Sequence, residues 1–482
     1  MPFEVHNRVG DRLVPASDGA TFERHDPADS RRLVSVAPES SAADVAAAVD
    51  AAAEAFASWS RTSASARAAL LEKAAAALAA RADEIADEMV AEMGKPVAMA
   101  RMEARRTPKN LELYAAEAIR LTGATYPADE PRTLVYSERA PIGVVGVITP
   151  WNFPLNLASR KIGPALAAGN TVVFKPSPMT PRMGDRLGEA FAEAGFPPGV
   201  VNVVHGFGAG ADLVADARVA AVTFTGSTAV GARIHAAVGL GRRVQLELGG
   251  NNPIVVLADA DLDVAADVVA RSSFSLSGQA CTAAGRILVA AEVHDELLER
   301  VAAKAAAHVV GDPRRDDVTM GPLVDERAVQ AMEAAVATAV EEGAEVVTGG
   351  ARPAGPDTGH GWFYAPTVLR GVGAGTNLAC SEVFGPVIGF EAVADLDEAL
   401  ARSNANDYGL TSAICTASLA AAQRFAAEVE AGTVRVNRPT VGAAFNAPFG
   451  GIKASGTGTH REQLGPTVMD FYTSLRTVFL GS

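Results

Sequence analysis

Gly143-Val144-Val145-Gly146-Val147-Ile148-Thr149-Pro150-Trp151-Asn152-Phe153-Pro154 is the stretch whose reading decides the fold. Its first six residues are apolar without alternation, the pattern of a strand buried on both faces, and Thr149-Pro150 stops the run. Beyond it, helical and strand periods alternate: helix 159–168, strand 171–174, helix 181–193, strand 200–204, helix 209–215, strand 221–224, helix 229–239, strand 244–248. That rhythm predicts an α/β fold with a doubly wound, mostly parallel sheet and a nucleotide crevice at the strand carboxyl ends.

Upstream, residues 1–40 read as a short strand layer broken by Asp18-Gly19 and Asp26-Pro27. Ser40 or Ser41 caps an Ala-rich helix over 42–58, a long helical region covers 64–93 until Gly94-Lys95-Pro96, and a third helix covers 98–121. Downstream of Gly250 a second α/β unit is expected, with strands at 254–257, 345–347, 387–390 and 433–436 and helices over 264–275 and 294–308. A tail strand covers 473–480.

At 482 residues, 49% hydrophobic and 20% charged, the chain has an ordinary globular composition and room for two to four domains. A net charge of −14 with no basic cluster argues against a nucleic-acid partner. Cysteines at 281, 380 and 415 have neither paired nor metal-type spacing, so no disulfide framework or metal site is expected, and a reduced cytoplasmic setting fits. The N-terminal residues lack an export pattern, and no apolar run is long enough for a membrane span.

The chemistry concentrates between Leu246-Glu247-Leu248-Gly249-Gly250 and Ser277-Gly278-Gln279-Ala280-Cys281. A thiolate is the strongest ordinary side-chain nucleophile, and a carboxylate in an apolar cleft has its pKa raised toward that of a general base. Taken singly, Glu247 reads more readily as a cation's partner and Cys281 as a small buried hydrophobe. Asn152, at a strand end, is suited to donate to an oxyanion, worth roughly 3 kcal/mol in acyl transfer, or simply to close a turn. Lys175, ending the strand 171–174, can reach ribose or phosphate or stay solvated. Phe224-Thr225-Gly226-Ser227 opens a helix whose free amides favour a pyrophosphate, and His205-Gly206-Phe207-Gly208-Ala209-Gly210 loosely follows a dinucleotide pattern.

Thr149 to Pro154, Lys175-Pro176-Ser177, Phe224 to Ser227, Glu247 to Gly250, Gly278 to Cys281, Glu382-Val383-Phe384-Gly385-Pro386-Val387 and Pro448-Phe449-Gly450-Gly451 stand in one order over nearly the whole chain. In that order and spacing the sequence resembles the aldehyde dehydrogenase superfamily. The resemblance implies a Rossmann-like cofactor-binding domain from 1–122 and 141–248, an α/β catalytic domain over 249–454, and a β oligomerisation arm from 123–140 and 455–482. It implies Cys281 as nucleophile, Glu247 as general base, Asn152 with the Cys281 amide as oxyanion donors, and Lys161 as a proton-handling lysine. For the cofactor it implies Trp151, Lys175 and Ser177, the Gly208 loop, Gly226 and Ser227 at the pyrophosphate, Gly249, Glu382 at the nicotinamide ribose and Phe384 beside the nicotinamide. An aldehyde would add to the thiol, lose hydride to NAD(P), and leave as a carboxylic acid after hydrolysis of the thioester.

Two departures bear on specificity. Where NAD-preferring relatives carry a glutamate three positions after the lysine, this chain has Pro178, which removes a repulsion against a 2′-phosphate and favours NADP, with NAD possible. Arg160 matches an arginine with which semialdehyde dehydrogenases grip a distal carboxylate; its alternative is a surface residue of the helix 159–168. A second arginine of the succinic semialdehyde enzymes is replaced by Ser275. The tail, Asn437-Arg438-Pro439-Thr440 and Thr459-His460-Arg461-Glu462-Gln463, looks more like 2-oxoglutaric semialdehyde (2,5-dioxopentanoate) dehydrogenases.

The expected substrate is therefore a short ω-oxo acid, with succinic semialdehyde or a broad aldehyde range as the alternatives. Glu247 argues against a CoA-acylating relative, and Cys281, Glu247 and Asn152 together against an inactive binding homologue. The resemblance also implies a homodimer or homotetramer, joined through an exposed two-stranded ribbon that favours pairing with a neighbour.

Overall fold

The structure, a computed structural model, describes residues 1–355, 357–460 and 463–481. Arg461 and Glu462, in the tail motif, lie outside the described residues. Strand Val144–Ile148 is buried along its whole length in a seven-stranded sheet. Its neighbours are Thr171–Lys175 on one side and Val219–Thr225 on the other, both parallel to it. Val201–Val203 extends the first side and Arg243–Glu247 the second, and the hairpin Asn7–Val9/Arg12–Val14 adds an antiparallel edge. The chain thus winds outward from Val144–Ile148 and returns to its opposite flank, so the switch point lies between that strand and Val219–Thr225. Register places Ile148 opposite Lys175 and Phe224, and Thr225 opposite Glu247. The carboxyl ends that carry the sequence motifs share one edge, the position at which doubly wound sheets bind ligands.

A second seven-stranded sheet runs in the order Glu345–Thr348, Thr367–Arg370, Val387–Val393, Ala284–Ala290, Asn252–Val256, Thr411–Cys415, Thr433–Val436, parallel except at the Glu345–Thr348 edge. Three of these strands, Ala284–Ala290, Thr367–Arg370 and Thr411–Cys415, escape the sequence reading. They are short, largely buried runs, which periodicity alone does not separate from helix. Helices Glu326–Glu341, Leu396–Asn404 and Leu419–Glu428 also go unread, although Asp325, Asp395 and Ser418 cap them with side-chain hydrogen bonds.

Two helix expectations change. The region 64–93 is two helices, Ala64–Ala80 and Ala82–Met93, broken where Arg81 takes φ −114° and ψ 17°. The helix expected over 159–168 begins five residues earlier and spans Pro154–Ala167, with Pro154 at the first turn where its missing N–H costs nothing. Arg160 and Lys161 therefore sit mid-helix on buried faces, and Asn152 lies just before the helix start. The helix over 42–58 is Ala42–Trp59, capped by Ser41, whose amide donates to Asp44 Oδ2 at 2.9 Å.

The tail strand, Thr473–Gly481, pairs antiparallel with Thr133–Pro141, and Thr125–Tyr126 adds a third strand, so the ribbon expected from sequence is a three-stranded sheet. No described helix is long and apolar enough to cross a membrane.

Candidate active site

The turn that presents Cys281 is built under strain. Leu276 and Ser277 have φ of 54° and 56°, left-handed values that cost an L-residue about 1 kcal/mol each. Ser277 Oγ donates to Gly321 O at 2.7 Å, and Gln279 Oε1 accepts from Val324 N at 2.9 Å, tying the turn to the 321–324 loop. Gly278, at φ 70°, has Gly385 O 2.2 Å from where a Cβ would stand, so only glycine fits. Asn252 fixes the far side by donating to the carbonyls of Cys281 (2.8 Å) and Ala283 (2.7 Å). The Cys281 side chain, half-buried, packs against the cluster of Leu410, Phe449 and Leu464. Burial first, and then the carboxylates of Glu247 and Glu382, push its thiol up to about 12, so at neutral pH the resting group is a protonated thiol.

Glu247 ends its strand only 1% exposed. Burial raises its carboxyl to about 8, opposed by the charge of Lys161 and by the Gly451 amide and the Gln463 side chain. Its Oε1 has no hydrogen-bond partner among the described residues. Lys161, fully buried, donates to Thr223 Oγ1 at 2.9 Å; burial lowers it to about 7, against the pull of Glu247. A carboxyl and an amine, each pushed toward neutrality and facing each other near a thiol, can pass protons near neutral pH.

Asn152 donates its Nδ2 to Gln279 O at 2.9 Å and accepts from Phe153 N at 3.1 Å. One Nδ2 hydrogen is thereby committed to the cysteine turn and the other is left for a ligand oxygen. Behind it lies a buried ion pair absent from the sequence reading: Lys95 Nζ donates to Glu103 and, at 2.8 Å, to Asn152 O, and sits 4.3 Å from the centre of the Phe153 ring. Glu103 Oε1 accepts from the Leu155 and Asn156 amides, both at 3.1 Å, satisfying two of the orphan donors at the helix start.

Arg160 is 6% exposed and makes no hydrogen bond or ion pair with any described residue. The surface alternative therefore fails. Burial lowers its pKa, and Tyr114, Arg106, Cys281 and Glu103 are the groups whose charges it feels.

At the crevice, Lys175 is buried at its strand end without a hydrogen bond among the described residues, and burial takes it down to about 8. Ser177, also buried, accepts from Met179 N at 3.2 Å. Trp151 and Phe384 meet edge-to-face at 5.8 Å. Glu382 Oε1 accepts from Gly250 N at 3.1 Å, and a Cβ on Gly249 would stand 2.1 Å from Glu382 Oε2. Gly226 and exposed Ser227 precede helix Thr228–Val238. The Gly208 loop differs from the simple expectation: the amides of Phe207 and Gly208 are already taken by Glu39 Oε1, at 2.8 and 3.3 Å. An orphan lysine, a carboxylate aligned on a glycine amide and a helix start on one sheet edge suit a dinucleotide's phosphate and ribose groups.

Residues 13–478 match the profile of the aldehyde dehydrogenase family. The chain belongs to that family. This aldehyde dehydrogenase is 40% identical over 478 residues to a 2,5-dioxopentanoate dehydrogenase of Saccharolobus solfataricus, covering 98% of each chain. It superposes on an NAD-dependent aldehyde dehydrogenase of Sinorhizobium meliloti with a TM-score of 0.95 at 36% identity, covering 100% of this chain and 95% of that one. An NADP-dependent enzyme of E. coli superposes with a TM-score of 0.94 at 35% identity, covering 100% of this chain and 98% of the other. The reaction class follows: oxidation of an aldehyde with a nicotinamide dinucleotide as acceptor. The aldehyde dehydrogenase scaffold is legible throughout the sequence; Lys95, Glu103, Arg106 and Glu39 are not, because each acts on the site from a distant element and carries no motif of its own.

Proposed function

We propose that the enzyme oxidises a short ω-oxo acid, with 2,5-dioxopentanoate as the preferred substrate, to the corresponding dicarboxylate. The observation that carries this reading is Arg160: a guanidinium 94% withdrawn from solvent, without a carboxylate partner among the described residues, within electrostatic reach of Cys281. A buried unpaired charge is costly, and a substrate carboxylate would neutralise it while placing the distal aldehyde at the thiol. The name of the Saccharolobus relative supports the same substrate class.

In this reading the Cys281 sulfur adds to the aldehyde carbon as its proton passes to Glu247, which Lys161 returns to the ionised form. The oxygen takes the resulting negative charge and is held by the free Asn152 Nδ2 hydrogen and the Cys281 amide. The nicotinamide, when bound, accepts the hydride. Glu247, with Oε1 open, takes a proton from the water that cleaves the thioester, and Lys161 beside it exchanges that proton. Lys175 and Ser177 would hold the adenosine ribose, with NADP favoured by Pro178; Gly208, Gly226 and Ser227 would lie along the phosphates. Gly249, Glu382, Trp151 and Phe384 would frame the nicotinamide riboside.

Residues 1–122 and 141–248 serve as the cofactor-binding domain, 249–454 as the catalytic domain, and 123–140 with 455–482 as the arm of a cytoplasmic homodimer or homotetramer. The arm carries exposed apolar side chains, among them Leu475 and Phe479, that a neighbouring subunit would cover.

The test compares initial rates on 2,5-dioxopentanoate, succinic semialdehyde and an uncharged aldehyde of similar length, for the native chain and Arg160→Ala. Oxo acids should win, with KM for them alone rising in the variant. Equal use of the uncharged aldehyde and a silent variant would make this a broad-specificity enzyme.

A further inference from the structure

Arg106 lies on helix Val97–Arg120, which packs along Pro154–Ala167, the helix of Arg160. Its Nη2 donates to Ala443 O, and its guanidinium lies 4.2 Å from the centre of the Phe445 ring. Ala443 packs on the cluster of Leu410, Phe449 and Leu464, the same cluster that Cys281 packs on. Arg106 is thus tied to the apolar cluster beside Cys281, with a half-buried side chain, while Arg160 sits deeper. The Nε of each is buried and without a hydrogen-bond partner among the described residues, and the Arg160 guanidinium feels the positive charge of Arg106.

Neither arginine has an ion pair with a described acid. Glu103, whose charge reaches Arg160, is committed to Lys95 and to the Leu155 and Asn156 amides. Two adjoining cations with free donors and no counter-charge form an anion site: like charges repel each other, and only an anionic ligand relieves the repulsion.

We infer that Arg106 is the second arm of the substrate-carboxylate site, so that the distal end of the aldehyde is held by two guanidinium groups. This rests on the reading of Arg160 given above. Two guanidinium groups present more donors than one carboxylate has in-plane oxygen positions for. An acceptor adjacent to the carboxylate, such as a 2-oxo group, can use the surplus. Arg106 is therefore the residue that favours 2-oxo acids over simple ω-oxo carboxylates, and Phe445 fixes its plane by stacking.

The experiment uses the full-length enzyme with Arg106→Met, which keeps the apolar stem, beside Arg160→Ala. Arg106→Met should raise KM for 2,5-dioxopentanoate about tenfold or more, raise it less for succinic semialdehyde, and leave an uncharged aldehyde within twofold. A second readout needs no turnover: 2-oxoglutarate should protect Cys281 from alkylation by iodoacetamide, and Arg106→Met should weaken that protection about tenfold. If Arg160→Ala raises KM for the oxo acids while Arg106→Met changes neither KM nor protection, Arg106 is not an arm of the site and the Arg160 reading survives. If both variants are silent, the two fall together. An equal loss for charged and uncharged aldehydes in Arg106→Met would mark a merely structural residue and overturn the inference.

Discussion

Lys95 and Asn152, 57 positions apart, are joined by a buried hydrogen bond of 2.8 Å from Lys95 Nζ to the Asn152 carbonyl. Through it the Lys95–Glu103 pair fixes both the turn that carries Asn152, the proposed oxyanion donor, and the first amides of the helix that follows. The double variant Lys95→Met/Glu103→Gln removes both charges at once, avoiding the stranded ion that makes single losses destabilising. Its kcat should fall about tenfold through misplacement of Asn152, with KM little changed. In an Asn152→Ala background the same pair of changes should cost nothing further, as a double-mutant cycle on kcat would reveal. Full additivity would mean that Lys95 does not act through Asn152.

Loss of Cys281, the proposed nucleophile, and loss of Glu247, the proposed base, should differ in kind. Cys281→Ser should abolish oxidation. Glu247→Gln should still release one equivalent of reduced coenzyme in a rapid burst, then turn over about 10²–10⁴-fold more slowly because the thioester persists. Rapid-quench mass spectrometry of the protein should find the acyl adduct only in Glu247→Gln.

Glu247 also sets a pH dependence. In the proposed role of base it must be ionised, and with its carboxyl raised to about 8 the hydrolytic rate should climb about tenfold per pH unit up to that value. The stability effect has the opposite sense. Between the ordinary carboxylate range and about 8 the unfolded chain is ionised while the folded one holds its proton, so this residue's contribution falls as pH rises. The melting temperature of Glu247→Gln relative to the native chain should therefore be higher at pH 8.5 than at pH 5, and a flat difference would contradict the assigned shift.

Pro178 stands where a carboxylate would exclude a 2′-phosphate. Pro178→Glu should move the ratio of kcat/KM for NADP over NAD toward NAD by about tenfold or more, read from parallel initial rates. Glu39, already on the Phe207 and Gly208 amides, offers the control: Glu39→Gln should shift the ratio toward NADP by removing a negative charge near Lys175.

On the arm, Leu475 and Phe479 are 64% and 70% exposed on one face of strand Thr473–Gly481. Leu475→Glu/Phe479→Glu should lower the sedimentation coefficient toward that of a smaller species while leaving the far-UV spectrum unchanged. An unchanged coefficient would remove the arm from the interface.

The sequence by itself determined the doubly wound sheet, because a parallel strand buried on both faces must be apolar throughout and its crossover helices must keep the 3.6 period. It also singled out the proposed reacting groups: Cys281, Glu247 and Asn152 each sit in a local turn or strand end marked by neighbouring glycines or prolines. Short buried strands such as Thr411–Cys415 stayed hidden, since neither their length nor their composition separates them from helix. Tertiary structure alone decided the environment of those groups. Whether Arg160 met solvent or the protein interior depended on where its helix began, and on which helix packed beside it. The pairing of Lys95 with Asn152, the nearness of Arg106 to Arg160 and the carboxylate of Glu39 on the Gly208 loop join elements far apart in the chain. Burial and Coulomb interactions depend on distance in space, and no local pattern of residues records that distance.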